Sequence, residues 1–163
     1  MSRKSILTLA ICSLIVIAFS VQASAQSKPV QLSLFTPVQI FNENIPIQGV
    51  RISLIYGRSV SVTGLDWGLV NRTTTGKFKG AQFGAVGVTD ADFVGLQNNW
   101  VNVVEGNIEG VQWGVVNYAN YTNGLQLGLV NYSGTMKGIQ IGFVNIIGQG
   151  GQFPVFPIVN WSF

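Results

Sequence analysis

The sequence predicts an all-β repeat protein, and three observations lead to that fold class. A block of eight residues recurs along the chain at a nearly constant spacing, its apolar residues alternate with Gly and Gln, and polar segments separate the blocks. Alternation is typical of a β-strand because successive side chains leave on opposite faces. Two Gly in each block and the recurring β-branched Val oppose a helix.

Residues 1–25 precede the repeats and have the three parts of a secretory signal. Arg3 and Lys4 are followed by the uncharged, mostly apolar run 6–21, and Ala23-Ser-Ala25 supplies the small residues of a cleavage site. The run is shorter than the ~20 residues that a membrane-spanning helix needs, which favours cleavage over a retained anchor. We therefore predict export across the inner membrane, to the cell surface, the outer membrane or the periplasm.

The composition excludes several functional classes. The chain has no His and a single Cys, and 9% of its residues are charged, against about a quarter in an average soluble domain. Without His there is no imidazole for acid–base catalysis or metal ligation. The net charge of +3 includes two cations of the predicted signal, so the remainder is nearly neutral and lacks the clustered cations of a nucleic-acid surface. We predict no nucleic-acid partner, no cofactor, no metal and no enzymatic activity.

The segment 26–48 is predicted to be a β lead-in that caps the repeats, with two short strands separated by Thr36-Pro37. The repeat array covers 49–147. Its units follow the pattern Gly-x-Gln-x-Gly-x-Val-Asn and begin 14 to 16 residues apart. A degenerate first unit begins at Gly49, and the six clear units begin at Gly64, Gly80, Gly95, Gly110, Gly124 and Gly138.

Between the units, an apolar residue usually lies two positions before the next Gly and predicts a short second strand. The polar segments, among them 117–123 and 131–134, predict turns. The final segment, 148–163, is apolar and contains two Pro, which cannot donate hydrogen bonds to a sheet. We predict that it is a C-terminal cap strand, because repeat arrays need atypical ends.

Two architectures fit this period, and the sequence favours a β-solenoid over a small up-and-down β-barrel of about eight strands. In a solenoid, equal positions of successive units lie above one another, which gives identical residues a reason to recur. The apolar columns are then expected to interlock as a core, with the small Asn98 beside the large Trp100. The amides are expected to form hydrogen-bonded ladders from Gln82, Gln97, Gln112, Gln126 and Gln140, and from Asn102, Asn117, Asn131 and Asn145.

The chain resembles a spirochaete-type family of exported bacterial surface-repeat proteins. The resemblance lies in the lead-in Val30-Gln-Leu-Ser-Leu-Phe35, the Gly-x-Gln-x-Gly-x-Val-Asn array and the ending Phe156-Pro-Ile-Val-Asn-Trp-Ser-Phe163. Asp66 in place of Gln and Gly87 in place of Asn depart from the repeat pattern. The resemblance implies export and a place at the cell envelope, and it implies no activity and no catalytic residues.

Few residues are candidates for chemistry. Asp66 is the one acid within a strand of the array, so it is the candidate for a remote alternative function, a glycan-active envelope enzyme. Four further carboxylates fall between units and would meet if the units stack, where they could ligate Ca²⁺, although solvated turn charges are the favoured interpretation. They are Asp90, Asp92, Glu105 and Glu109.

Tyr118, Tyr121 and Tyr132 lie in successive inter-unit segments and are the candidate surface strip for binding. With the Gln ladder they would serve an unidentified protein or glycan partner at the envelope, with outer-membrane association as a further prediction. The sequence thus predicts an exported, non-enzymatic scaffold or binding module, and an outer-membrane barrel is the alternative.

Overall fold

A computed structural model describes residues 26–163, and the predicted signal 1–25 lies outside the described residues. The described chain is all-β and forms a β-solenoid of about 7 turns, which confirms the favoured fold. Its strands are β1 (Lys28–Phe35), β2 (Val38–Gln39), β3 (Ile47–Ser59), β4 (Val62–Thr73), β5 (Phe78–Thr89), β6 (Phe93–Trp113), β7 (Val116–Gln149) and β8 (Val155–Ser162).

Successive coils of the solenoid pair in parallel, from β1 with β3 through to β6 with β7. The register aligns equal positions of the repeat, so that Gly49 pairs with Gly64 and Gly110 pairs with Gly124. Neighbouring strands of an up-and-down barrel run antiparallel, so the barrel alternative is wrong for the described chain.

The strands β6 and β7 are long because the chain keeps its sheet pairing while it passes a corner of the coil. The segments 117–123 and 131–134, expected to be turns, both lie within β7. In the first of them, Tyr121 still pairs with Asn107 of the preceding coil. Their polar composition reflects exposure at a corner, and the sheet pairing resumes after a register shift between Ala119 and Tyr121 because the neighbouring coil supplies backbone partners.

Each unit begins with Gly because the backbone bends sharply there and lies against the backbone of the neighbouring coil. The first Gly of all seven units has a φ between 126° and 146°, a backbone region that residues with a Cβ avoid. A Cβ built on Gly110 would lie 2.1 Å from the carbonyl oxygen of Gly95. This column of glycines therefore fixes one corner of the solenoid.

The two ends of the parallel stack are closed by antiparallel strands. β2 pairs with β1 at one end, and β8 pairs with β7 at the other. The exposed edges contain proline, since Pro29 lies in the part of β1 that β2 does not cover and Pro157 lies in β8. Because proline has no N–H to donate, these edges are poor templates for a further chain.

The interior of the coils is lined mainly by the polar face of the sheet, which corrects the expected apolar core. Gln112 and Asn117 are fully buried. The large residues between the Gln and the Asn of each unit point outward, since Trp113 is 57% exposed and Trp100 is 71% exposed. The coil is too narrow for these rings: a Cβ built on Gly128 would already lie 2.6 Å from the amide nitrogen of Asn117. The pairing of Asn98 with Trp100 is therefore not core packing.

An apolar core does exist, but it occupies one side of the interior. It comes chiefly from the apolar residue two positions before the leading Gly, which opens β3, β4, β5 and β6, so the predicted second short strand is part of the same strand as the repeat block. The rings of Phe78 and Phe93 stack there with centroids 4.4 Å apart. The cluster consists of Ile47, Val62, Phe78, Phe93, Val104, Ile108 and Ala119.

Candidate functional site

The glutamines of the repeat form one continuous ladder inside the solenoid. Each side-chain amide donates to the carbonyl oxygen of the Gln one coil earlier, as from Gln112 to Gln97 at 2.9 Å and from Gln126 to Gln112 at 2.6 Å. Gln97 donates to Gln82 and Gln140 donates to Gln126 in the same way. Because all of these side chains are fully buried, the ladder is structural and offers no surface to the predicted protein or glycan partner.

The asparagines form a second buried ladder that runs in the opposite direction. Asn102 donates to Asn117, Asn117 to Asn131, and Asn131 to Asn145, at 2.7 to 2.8 Å. Their amides also donate to backbone carbonyls, such as that of Leu127. Since the Gln amides point toward the N-terminal end and the Asn amides toward the C-terminal end, the dipoles of the two columns oppose each other.

The Gln ladder ends at a buried ion pair. Gln82 donates to Asp66 at 2.9 Å, and Arg51 of the preceding coil binds the same carboxylate through two nitrogens, at 2.6 and 2.7 Å. Both charged side chains are fully buried. The glycan-active role considered for Asp66 is therefore unsupported, because no substrate could reach a carboxylate that three hydrogen bonds already hold inside the coil.

The outer surface carries a continuous apolar wall. The wall consists of the second, fourth and sixth residues of the seven units, together with their outward neighbours on β1 and β8. None of these unit residues is charged, and all except Asn98 are apolar. Leu32 extends it on β1 and Trp161 on β8, according to the register. The seven units, β1 and β8 contribute nine strand segments at about 4.8 Å spacing. With five residues of each segment, the wall covers roughly 700 Å². That exceeds the few hundred Å² that soluble monomers usually expose.

Along one margin of the wall, the sixth and seventh residues of each unit form a convex apolar ridge. In three units both residues are exposed, as with Val115 and Val116 or Leu129 and Val130, and in the others the seventh residue is half-buried. Two neighbouring side chains of a strand can both face solvent only where the chain turns a corner. The sixth position also holds strongly protruding residues, including Phe143 at 77% exposure.

The exposed charges lie on the other faces of the solenoid. Arg72 pairs with Asp90 at 2.9 Å, and Lys77 pairs with Asp92 at 3.4 Å. The backbone N–H of Asn107 donates to Asp92, and this hydrogen bond, reinforced by Lys77, lowers the pKa of that carboxyl below its ordinary value. The surface is thus divided into an apolar side and a charged side.

The four inter-unit carboxylates do not form a cation site. Asp92 and Glu109 line one polar cavity of about 350 Å³ together with Lys77 and Tyr121, while Asp90 is held by Arg72. Among residues 26–163, no group of three or more His, Cys, Asp or Glu side chains is placed to hold a metal ion.

The three tyrosines of the predicted binding strip lie in two different places. Tyr118 and Tyr132 occupy equal positions of successive units and stack with ring centroids 5.1 Å apart. Tyr121 lies three residues further on and lines the polar cavity instead. The strip therefore contains two rings, and both are only partly exposed.

A shallow apolar notch interrupts the wall at the unit that begins with Gly80. Its volume is about 300 Å³. The notch arises because Ala85 occupies the sixth position, where the neighbouring units carry Leu69 and Trp100. The lining consists of Leu54, Trp67, Gly68, Leu69, Gly84, Ala85 and Trp100. The sequence analysis predicted neither the notch nor the wall. The alternation of charged and uncharged segments along the chain did indicate the wall.

In comparisons with known proteins, the chain matched no family model, no curated protein and no solved structure. The part of the chain that the structure describes contains no helix long and apolar enough to cross a membrane. The candidate site is therefore defined by the geometry of the solenoid alone, as an apolar wall and ridge opposite a charged side.

Proposed function

We propose that this chain is an exported, non-enzymatic repeat protein of the bacterial envelope that lies on a lipid surface through its apolar wall and ridge. The observation that supports this most is the separation of the surface into an uncharged apolar side and a charged side. An element with such a division is stable at a membrane interface, where its apolar side enters the acyl boundary and its charges stay in water.

The shape of the apolar side favours lipid over a second copy of the chain. The ridge is convex, since residues such as Leu129 and Val130 both point outward at a corner. Two convex ridges cannot bury each other, so a dimer formed through the wall would leave its ridges in water. Lipid chains adapt to a convex surface and cover both sides of the corner. Trp67, Trp100 and Trp113 on the wall also suit the boundary between lipid and water.

The protruding side chains offer a gross hydrophobic contribution of the size that binding in the micromolar range requires. Seven residues of the wall are between 52% and 77% exposed, namely Leu54, Trp67, Leu69, Trp100, Trp113, Leu129 and Phe143. Burying the exposed part of each is worth on the order of 1 kcal/mol. Seven such contributions approach the ~8 kcal/mol that corresponds to a micromolar Kd.

The other parts of the proposal are supported by sequence arguments. Export is supported by the signal-type segment 1–25 and by the resemblance to exported surface-repeat proteins. A non-enzymatic role is supported by the absence of His and Cys from residues 26–163 and by the burial of Asp66. Fractionation of cells that express the full-length gene tests export, and intact protein found solely in the cytoplasm would overturn it.

Co-sedimentation with vesicles tests the lipid surface. Phosphatidylcholine vesicles are used because their zwitterionic surface does not favour either sign of charge. We expect the protein to bind them, and we expect the double variant Leu129→Arg/Phe143→Arg to bind about tenfold more weakly or worse, since two apolar contacts become charges. Thr63→Arg/Asn123→Arg, which adds the same two charges on the exposed polar side, is the matched control and is expected to bind like the parent.

Two outcomes would contradict the lipid proposal. One is the absence of binding by a parent protein whose circular dichroism shows a folded β-structure. The other is a dimer in analytical ultracentrifugation that the ridge variant converts to monomer, because the wall would then be an interface between copies of this chain.

A further inference from the structure

The notch at Ala85 has the width of a single hydrocarbon chain. Its two sides belong to the units before and after, so they are separated by two strand spacings, or about 9.6 Å. The register supports this placement, since Val70 pairs with Val86 and Val86 with Val101. Contact distances between carbon atoms are about 4 to 4.5 Å, which leaves room for one chain in contact with both sides.

The lining of the notch is mainly apolar. The floor is Ala85 with Gly68 and Gly84, and the sides carry Leu69 and the indole of Trp100. No lining residue has a carboxyl, ammonium, hydroxyl or amide side chain. The polar groups there are limited to backbone and indole N–H, so a sugar or a peptide would lose more hydrogen bonds to water than it regains, at about 1 to 3 kcal/mol for each unpaired polar group.

We propose that this notch takes a single acyl chain of a membrane lipid. The inference rests on the proposed function, because the notch opens on the wall that faces the lipid surface. A volume of about 300 Å³ is at the lower end of small-molecule pockets, so it receives a segment of one chain and leaves the headgroup outside. Such a site would hold the protein to individual lipids and add specificity for chains over a uniform apolar surface.

The test uses a monomeric single-chain lipid, a lysophosphatidylcholine with a dibrominated chain, kept below its micelle concentration. Bromine quenches tryptophan at short range, and the notch contains two tryptophans, Trp67 and Trp100. Full-length gene product is purified with the other two tryptophans replaced by Phe. We expect saturable quenching with one lipid per chain, and a loss of affinity of at least tenfold in Ala85→Phe, which fills the notch.

Asn123→Phe is the matched control, because it places the same ring on the exposed polar side, outside the wall and the notch. It is expected to leave the quenching unchanged. Quenching that does not saturate, or that is equal in Ala85→Phe and the parent, would overturn the notch as a site. Circular dichroism melting curves verify that both variants fold.

Vesicle co-sedimentation of the same variants separates the two proposals. Asn123→Phe leaves the wall untouched and Ala85→Phe adds no charge to it, so both variants are expected to retain binding to phosphatidylcholine vesicles. Vesicle binding by all three without selective lysolipid quenching overturns the notch alone. Loss of vesicle binding in all three overturns the lipid surface, and with it the membrane lipid as the source of the chain.

Discussion

Replacing one rung of the Gln ladder by an apolar residue of similar size is expected to destabilise the solenoid strongly. Gln112 is the central rung: its amide donates to Gln97 at 2.9 Å and to the carbonyl of Tyr118 at 3.1 Å, and its oxygen accepts from Gln126 at 2.6 Å. Gln112→Leu removes all three hydrogen bonds while the volume is nearly kept. The change therefore isolates hydrogen bonding from cavity formation.

The magnitude follows from the groups left without partners. In Gln112→Leu, the side-chain oxygen of Gln97 loses its donor, one N–H of Gln126 loses its acceptor, and the carbonyl of Tyr118 loses a donor. A buried polar group without a partner costs about 1 to 3 kcal/mol. We expect the free energy of unfolding to fall by roughly 3 to 6 kcal/mol, since the two glutamine groups are fully buried and the hydrogen bond to Tyr118 is partly buried.

Gln140→Leu is an internal comparison at the end of the same ladder. Gln140 is also fully buried, but its own side-chain oxygen has no hydrogen-bond partner within the described residues. The substitution breaks the hydrogen bonds to Gln126 and to the carbonyl of Ile146, yet it also removes that unpaired oxygen. We therefore expect it to cost about 2 kcal/mol less than Gln112→Leu.

Guanidinium denaturation followed by circular dichroism measures both changes. If the dependence on denaturant is roughly 3 kcal/mol per molar, a loss of 3 kcal/mol moves the midpoint by about 1 M. A Gln112→Leu variant within 0.5 kcal/mol of the parent, with about the same denaturant dependence, would refute the view that the ladder stabilises the interior. Equal costs for the two substitutions would refute the assignment of Gln140 as an incompletely paired end.

Three further predictions concern the ion pair, a surface carboxylate and the glycine corner. Asp66→Asn leaves the buried guanidinium of Arg51 without its counter-ion and is expected to cost about 3 to 5 kcal/mol; the double variant Arg51→Gln/Asp66→Gln extends the amide ladder and should recover most of that loss in the same denaturation assay. The lowered pKa of Asp92 means that its contribution is present above its ordinary pKa and is lost as the pH falls through the lower folded value, so the difference in melting temperature between the parent and Asp92→Asn should shrink when the pH falls below about 4. Gly110→Ala combines positive φ with a clash and is expected to cost about 3 kcal/mol or more, whereas Gly150→Ala, with φ of 75° and nothing within 4 Å of the added carbon, should cost about 1 to 2 kcal/mol; similar melting temperatures for these two variants would contradict the close approach of the coils.

The fold was predictable because identical residues at a fixed period have a direct meaning in a parallel stack. The Gln and Asn columns could be drawn from the sequence, since each amide both donates and accepts and so gains from an identical neighbour. The leading glycines also marked where each unit begins. The corner segments were expected to be turns because their composition is polar, and composition does not reveal that the next coil supplies hydrogen-bond partners for the backbone there.

The candidate site could not be predicted to the same extent. Asp66 looked accessible in the sequence. Its ion-pair partner, Arg51, lies in the degenerate first unit, where no sequence feature marks it as a partner. The notch depends on Ala85 lying between Leu69 and Trp100 of adjacent coils. That adjacency requires the register of three units with spacings of 16 and 15 residues.

The sequence by itself determined the strand period, the stacking of equal positions and the separation of apolar from polar side chains. Only the tertiary structure decided which of the two faces closes around the interior. An alternating strand has the same pattern whichever face is inside, and the usual preference for apolar interiors pointed to the wrong one. The polar face is inside because the amides satisfy one another along the stack in a narrow coil, while the larger apolar side chains have room solely on the outer surface.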